Sequence, residues 1–364
     1  MSSLNLQQRR KNQVRMKIAA FNGKNLGHKK VHDKSVVKHL TKIISRYSVI
    51  VLLEVVDKSG KAMETLLQEL NKTDTNRKHP YKKTASKQLG RDTYKEQYVC
   101  FYRPDEVTLK DSHQYEDNQA GDEDAFAREP FILRFDCPTT VVQDLVLIPV
   151  HTKPEDTLKE LDELHDVVED IRKKWKNDNI MILGDFNADG RYLSKKKKEK
   201  IRICSPSYDW LIDDDVDTTA SNNNDNTYDR IVVYGETMSN AIVPNSAKSF
   251  NFQQEFKLTD EEARSISDHY PVEVELKTRA GRQKRMAVPD GTEMTSGEEQ
   301  SQKKVKQTKP AGSPKMAPKR VGAPKKKKDE PDRQQKKKNV RTKRKRGRAS
   351  NTPTKRRRQD VQCS

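Results

Sequence analysis

The chain has 364 residues, enough for one large domain or two small ones, and carries 73 Lys and Arg against 54 Asp and Glu. The surplus sits at one end: residues 280–364 hold 28 basic and 8 acidic side chains, which leaves 45 and 46 for residues 1–279. No window approaches the roughly 18 apolar residues of a membrane span. No secretory-type apolar stretch follows the basic N-terminus, and Cys100, Cys137, Cys204 and Cys363 show neither C-x-x-C spacing nor a disulfide framework. The expectation is a chain without a membrane segment, its thiols reduced in a reducing compartment.

Residues 1–15 read as an extension, 16–277 as one domain with enough apolar runs for a substantial core, and 278–364 as a tail. In chain order, short β-type runs meet polar residues. Lys17–Phe21 runs into Asn22, Val49–Leu53 into Glu54, Leu145–Val150 into His151, and Ile180–Gly184 into Asp185, Phe186 and Asn187. Asp229 opens Arg230–Val233, and Asp268-His269 opens Tyr270–Val274. Helical periods lie between, as from Glu160 through Ile171, and such alternation argues for an α/β fold. One polar strand end is routinely a surface cap; six of metal-binding or proton-handling type ask for more. The oxygen donors of Asn22, Glu54, Asp185 and Asp268 suit a hard cation, Mg²⁺, Mn²⁺ or Ca²⁺, rather than zinc. Two histidines beside carboxylates suit acid–base work near neutral pH. Together these fit phosphodiester hydrolysis, with an ordinary α/β domain bearing a charged rim as the alternative.

The stretches KIAAFN (17–22), GRDTYKEQY (90–98), AREPF (127–131), GDFNAD (184–189), YDRIVV (228–233) and SDHYPVEVEL (267–276) resemble the successive motifs of the deoxyribonuclease I family, within the endonuclease/exonuclease/phosphatase superfamily. The gamma type is the nearest in motif, through TYKEQY, REPF, IPVHT and the basic extension. The resemblance implies a four-layer sandwich of two packed, mostly antiparallel sheets flanked by helices, with the active site at one sheet edge. It implies a metal-dependent endodeoxyribonuclease leaving 5′-phosphate ends. Glu54 would bind Mg²⁺ or Mn²⁺, with Asn22 and Asp268 around the same site. His269, oriented by Asp229, would activate water, and His151, paired with Glu96, would serve the leaving oxygen. Asp185 and Asn187 would position nucleophile and phosphate, while Tyr94, Arg128 and Lys24 would meet DNA. Asp124 with Glu129, and Asp217 with Thr219, would belong to Ca²⁺ loops, although the acidic loop 116–124 reads equally well as solvated charge.

The chain also departs from the family. Gly190 and Asn226 stand where secreted members carry a disulfide, and Asp117–Gly121 replaces a smaller one. Val56 replaces a basic residue that enters the minor groove. Lysines in Tyr81–Ala85 speak against the actin contact of deoxyribonuclease I. His28, His32, His39, His79, His113 and His165 lie outside the motifs and are expected at the surface. Lys195–Lys198 reads as a surface loop, either solvated or against nucleic acid. The tail lacks Phe, Tyr, Trp, Ile and Leu, so it is expected to be disordered. Its Lys/Arg runs at 325–328, 341–346 and 355–358 suit import receptors, and its +20 charge suits DNA or chromatin in the nucleus. Rival readings are an abasic-site nuclease, a phosphoinositide phosphatase, and a non-catalytic DNA- or chromatin-binding relative.

Overall fold

In Ile18–Phe21 and Val49–Leu53 both alternating sets of side chains are apolar, so neither face of these strands can meet water. A computed structural model describes residues 15–117, 124–220 and 225–279 and shows how both faces are covered. The tail with its Lys/Arg runs, Cys363, most of the N-terminal extension and the middle of the acidic loop lie outside the described residues.

The first strands are β1 (Met16–Gly27), β2 (Val49–Val56), β3 (Lys82–Ala85), β4 (Gln97–Tyr102), β5 (Thr108–Gln114) and β6 (Phe131–Asp136). They are followed by β7 (Asp144–His151), β8 (Ile180–Asp185), β9 (Tyr208–Trp210), β10 (Asp229–Tyr234), β11 (Lys248–Ser249) and β12 (Val272–Leu276). One sheet has the order β11-β12-β1-β2-β4-β3 and the other β5-β6-β7-β8-β10-β9. Only the β1–β2 and β7–β8 neighbours are parallel; the remaining pairs are antiparallel.

The two inner faces share a core that includes Ile18, Val51, Leu53, Leu133, Phe135, Leu147, Leu183 and Ile231. The alternate residues of β1 and β2, among them Phe21, Ile50 and Leu52, pack outward against helices Lys34–Ile44 and Lys61–Lys72. The outer face of the second sheet is covered by helix Thr157–Trp175 through Leu161, Leu164, Val168 and Ile171. The result is four layers: helix, sheet, sheet, helix. Helix Lys34–Ile44 starts where Asp33 accepts the N–H groups of Ser35 and Val36, and its buried positions 36, 37, 40, 41, 43 and 44 follow the helical period. Among the described residues no helix is long and apolar enough to cross a membrane.

Three sequence expectations need correction. β1 and β2 do not end at Asn22 and Glu54 but continue past them, with register shifts at Asn22/Leu26 and Leu52/Val55. Lys24, Asn25 and Glu54 take positive φ there, 42°, 51° and 54°. A bulge re-aims a side chain while pairing resumes beyond it, a device that hydropathy does not reveal. Of the histidines expected at the surface, His39, His113 and His165 are half-buried, and His165 Nδ1 lies 2.8 Å from the Tyr208 hydroxyl. Lys195–Lys198 is a single helical turn rather than a loop. Tyr81, just before β3, is buried, its hydroxyl donating to the carbonyls of Ile44 and Tyr47.

Gly184 lets β7 and β8 close up beside the site. Its φ is +141°, and a Cβ there would lie 2.1 Å from the Val150 carbonyl oxygen. Strained backbone and overpacking each cost about 1–3 kcal/mol. Gly184→Ala should therefore lose about 2–6 kcal/mol in denaturant titration; an unchanged midpoint would show that the strands can part without cost.

Candidate active site

β8 ends on Asp185, and the strand register places His151 of β7 on one side of it and Asp229 of β10 on the other. Neighbouring strands lie about 4.8 Å apart, so pairing alone sets these three side chains in a row. From the facing sheet, Asn22 at the β1 bulge donates its Nδ2–H to Asp185 Oδ2 at 3.0 Å, and the main-chain carbonyl of Asn22 accepts the Ser267 hydroxyl at 2.6 Å. That bond pins the segment carrying Asp268 and His269. Helix Asp260–Ile266, which delivers the segment, opens on a capping box between Thr259 and Glu262.

Both imidazoles are backed by buried carboxylates. His269 donates from Nδ1 to Asp229 Oδ2 at 2.8 Å, and His151 from Nδ1 to Glu96 Oε1 at 2.5 Å. An ionised carboxylate only accepts, so each ring presents its Nε2 to the space in front of Asp185, 3.7 Å from the same Oδ2 atom. Burial works against a charged His269, but the Asp229 and Asp185 carboxylates outweigh it and hold its pKa up, to about 10. Burial likewise opposes charge on His151, and Glu96 overcomes it, so that ring also titrates above its usual range. For Asp185, burial alone would raise the carboxyl; the two rings and the N–H groups of Asn22 and Asn187 reverse this and hold it low. The row thus stores protons on the rings and negative charge on Asp185.

Asn187, at φ 47°, donates its main-chain N–H to Asp185 Oδ1 at 3.0 Å and its side-chain amide to the Thr152 carbonyl at 3.1 Å. Arg128 is half-buried: its Nε bonds Glu96 Oε1 at 2.8 Å, and Nη1 reaches the His151 carbonyl at 3.4 Å. Tyr94 is 44% exposed, with its hydroxyl 3.2 Å from Asn25 Oδ1. The Lys24 ammonium pairs closely with Asp268.

Asp185, Asp229 and His269 bring donor atoms within 4.8 Å of one another, a group able to hold a metal ion. Glu54 and Asp268 stand near by. Glu54 Oε1 accepts the Asn25 N–H at 2.9 Å, and both carboxylates act on Lys30, which bonds the carbonyls of Gly23 and Ile266. Burial pulls Lys30 down to about 8 in spite of Asp268 and Glu54. A carboxylate-rich donor set fits a hard divalent cation. Of the residues read as calcium loops, the Asp124 carboxylate lies 2.9 Å from Arg91 Nε, and the Glu129 carbonyl accepts the Gln114 amide. Asp217 Oδ1 accepts the N–H and the hydroxyl of Thr219, which itself bridges to His269.

Sequence reasoning passed over Lys30, Ser267 and Glu160. Lys30 carries no signal, since a lysine in a short helix is ordinary, and Ser267 stands inside the SDHYPVEVEL motif without a role of its own. Glu160 does carry one: it is a carboxylate on the core-facing side of an amphipathic helix. It is buried, and its Oε1 accepts the N–H groups of Ala127 and Lys153, tying the loop before Arg128 to the strand end after His151.

Burial pushes the Glu160 carboxyl up to about 7 from an ordinary 4.5, although both N–H groups favour its charge. A folded pKa above the unfolded one means that folding takes up a proton. The stabilisation is full below the unfolded pKa and is lost as pH rises through about 7. Relative to Glu160→Gln, the parental chain should lose up to about 3 kcal/mol between pH 4.5 and 8. Melting curves of both proteins across that range decide the matter, and a constant gap would place the carboxylate in water.

The model of the endonuclease/exonuclease/phosphatase family matches residues 19–269, a span that contains every member of this row. Human deoxyribonuclease gamma is 41% identical over 264 residues, 72% of this chain and 86% of that protein. Rabbit (Oryctolagus cuniculus) deoxyribonuclease-1 is 43% identical, over 72% and 92%, and human deoxyribonuclease-1-like 1 is 44% identical, over 72% and 84%. Among solved structures, the human Nocturnin catalytic domain aligns with a TM-score of 0.50 at 15% identity, covering 73% of this chain and 95% of that one. It supports the fold alone. The chain belongs to the endonuclease/exonuclease/phosphatase family, among its deoxyribonuclease members.

Proposed function

We propose that this chain is an endodeoxyribonuclease that hydrolyses phosphodiester bonds of DNA with little sequence preference, leaving 5′-phosphate ends. The observation that carries the reading is the pair of imidazoles converging on Asp185, each backed by a buried carboxylate. Hydrolysis needs one proton removed from water and one delivered to the departing 3′ oxygen. His269, braced by Asp229, takes the first when its Nε2 is unprotonated; His151, held charged by Glu96, supplies the second. Asn22 and Asn187 fix the rotamer of Asp185, and Asp185 aligns the water. Glu54, Asp268 and Asp185 would hold Mg²⁺ or Mn²⁺, which supplies charge neutralisation at the phosphate, while Ca²⁺ suits the loops of Asp124 and Asp217. The substrate class follows from the three deoxyribonuclease relatives. Tyr94 and Lys24 line the approach for the DNA backbone.

The +20 charge of residues 280–364 supports a nuclear protein that meets DNA as chromatin, with the three Lys/Arg runs as import signals and the same charge as a sequence-independent tether.

His151→Ala and His269→Ala should each lower plasmid nicking by ~10²–10⁴-fold, as removal of an acid or base does. Parental rates from variants folded by circular dichroism would remove the rings from the chemistry. Glu54→Gln should move the Mg²⁺ titration to higher concentration, and an unmoved titration excludes Glu54 as a ligand. Faster turnover of abasic duplex or phosphoinositide than of plain duplex would replace this substrate assignment. Deleting residues 280–364 should abolish nuclear accumulation of a fluorescent fusion; retention in the nucleus counts against the import role.

A further inference from the structure

The lysine turn at 195–198 has no part in that chemistry. Lys195, Lys196 and Lys197 are exposed, and among the described residues no carboxylate lies within ion-pair distance of them. Lys198 differs: it pairs with Asp214 at 2.5 Å and covers the Trp210 ring. Asp214 is shared with buried Arg230 at 2.7 Å, which leaves Asp213, Asp215 and Glu199 as the exposed acids of the neighbourhood. Residues 1–279, the turn included, are close to neutral, and Arg202, just beyond the turn, is held by three carboxylates. Side chains one or two positions apart on a helix do not face each other, so each of the three lysines is left to its own surroundings. Three uncommitted cations stand in this turn, and among the described residues no carboxylate pairs with them.

The turn is connected to the site. The Tyr228 ring lies 6.3 Å from that of His269, Tyr192 lies 5.6 Å from Tyr228, and the Arg191 guanidinium sits 4.9 Å over Tyr192. Asp189 locks the two loops together, its carboxylate accepting the N–H of Thr227 at 2.9 Å. Lys195 follows Tyr192 by three residues, at most about 11 Å of chain. From His269 the path runs along partly exposed aromatic faces to the cations and is at most about 23 Å long, the rise of no more than about seven nucleotides.

We infer that Arg191 and Lys195–Lys197, reached across Tyr228 and Tyr192, form a second DNA contact, which takes backbone phosphates of the duplex where it leaves the site on the His269 side. Lysines serve as point charges for phosphates and read no sequence, and the tyrosines offer faces to the intervening sugars. The contact lengthens the footprint without touching the chemistry. It rests on the DNA-cleaving reading above.

The test compares the full-length parent with Lys195→Ala/Lys196→Ala/Lys197→Ala, Lys198 being kept for Trp210 and Asp214. On duplexes of about 8 base pairs, read at the central bond with about four base pairs on either side, too few to span the path, KM should be the same for both. On duplexes of about 30 base pairs the variant's KM should rise about tenfold at low salt, with kcat unchanged. Its log–log salt slope should be shallower by about 2, close to one unit for each phosphate that the turn no longer neutralises. The triple Lys→Arg variant should regain parental behaviour. Both proteins carry the same tail, so the difference belongs to the turn. If parent and variant match in KM and salt slope at both lengths while the parent cuts DNA, this inference is overturned and the nuclease reading stands. A parent that cuts neither duplex overturns the nuclease reading itself.

Discussion

The site depends on a register. Because His151, Asp185 and Asp229 are direct partners on three adjacent strands, their spacing is set by main-chain hydrogen bonds rather than by loops. A shift of one residue in β8 would turn Asp185 to the opposite face and bring Gly184 or Phe186 into its place. The remaining members attach to this row by one bond each: Asn22 across the sheets, Glu96 behind one ring, and Ser267 through the backbone of Asn22. Precision in the chemistry is thus inherited from the core, where Leu183, Leu147 and Ile231 of the same strands are fully buried.

That precision is destabilising. Glu96 Oε2 and Asp229 Oδ1 are buried without a hydrogen-bond partner, and an unsatisfied buried polar atom costs about 1–3 kcal/mol. The other oxygen of each carboxylate, Glu96 Oε1 and Asp229 Oδ2, is the one that braces a ring, so the protein tolerates the cost where charge must shift during a reaction. The core shared by the two sheets, together with the two helix-covered outer faces, offsets it. The loop that begins at Asp189 illustrates another economy. Asn226 Oδ1 lies 2.9 Å from where a Cβ on Gly190 would stand, so the positions that carry a disulfide in secreted relatives remain neighbours. Here the carboxylate of Asp189, bonded to the N–H groups of Gly190 and Thr227, holds the loops together instead.

Much of this was legible in the residues. Alternating apolar runs bounded by Asp185, Asp229 and His151 disclosed strands that end on functional groups, because a strand boundary is a local property. Asn22 and Glu54 were legible as residues but not as places, since a bulge shows only once pairing partners are known. Glu160 and Lys30 were missed for a related reason. Each is defined by a backbone group far away in sequence, Ala127 for one and Ile266 for the other, and no local pattern records such a bond. Arg128 was placed at DNA by its motif, yet the structure shows it first as the brace of Glu96 and His151.

The four outermost strands have something in common. β11 is two residues long and β9 three, β3 carries Lys82 and Lys83, and β5 alternates Lys110, Asp111 and His113 with little apolar surface. A sheet margin that is short or charged gives an incoming chain no hydrophobic rail to zip along. Two six-stranded sheets would otherwise be open-ended templates, and such blunted margins restrict growth to the chain's own segments. Crowding this protein on a polyanion, where local concentration climbs steeply, therefore need not seed β-fibrils.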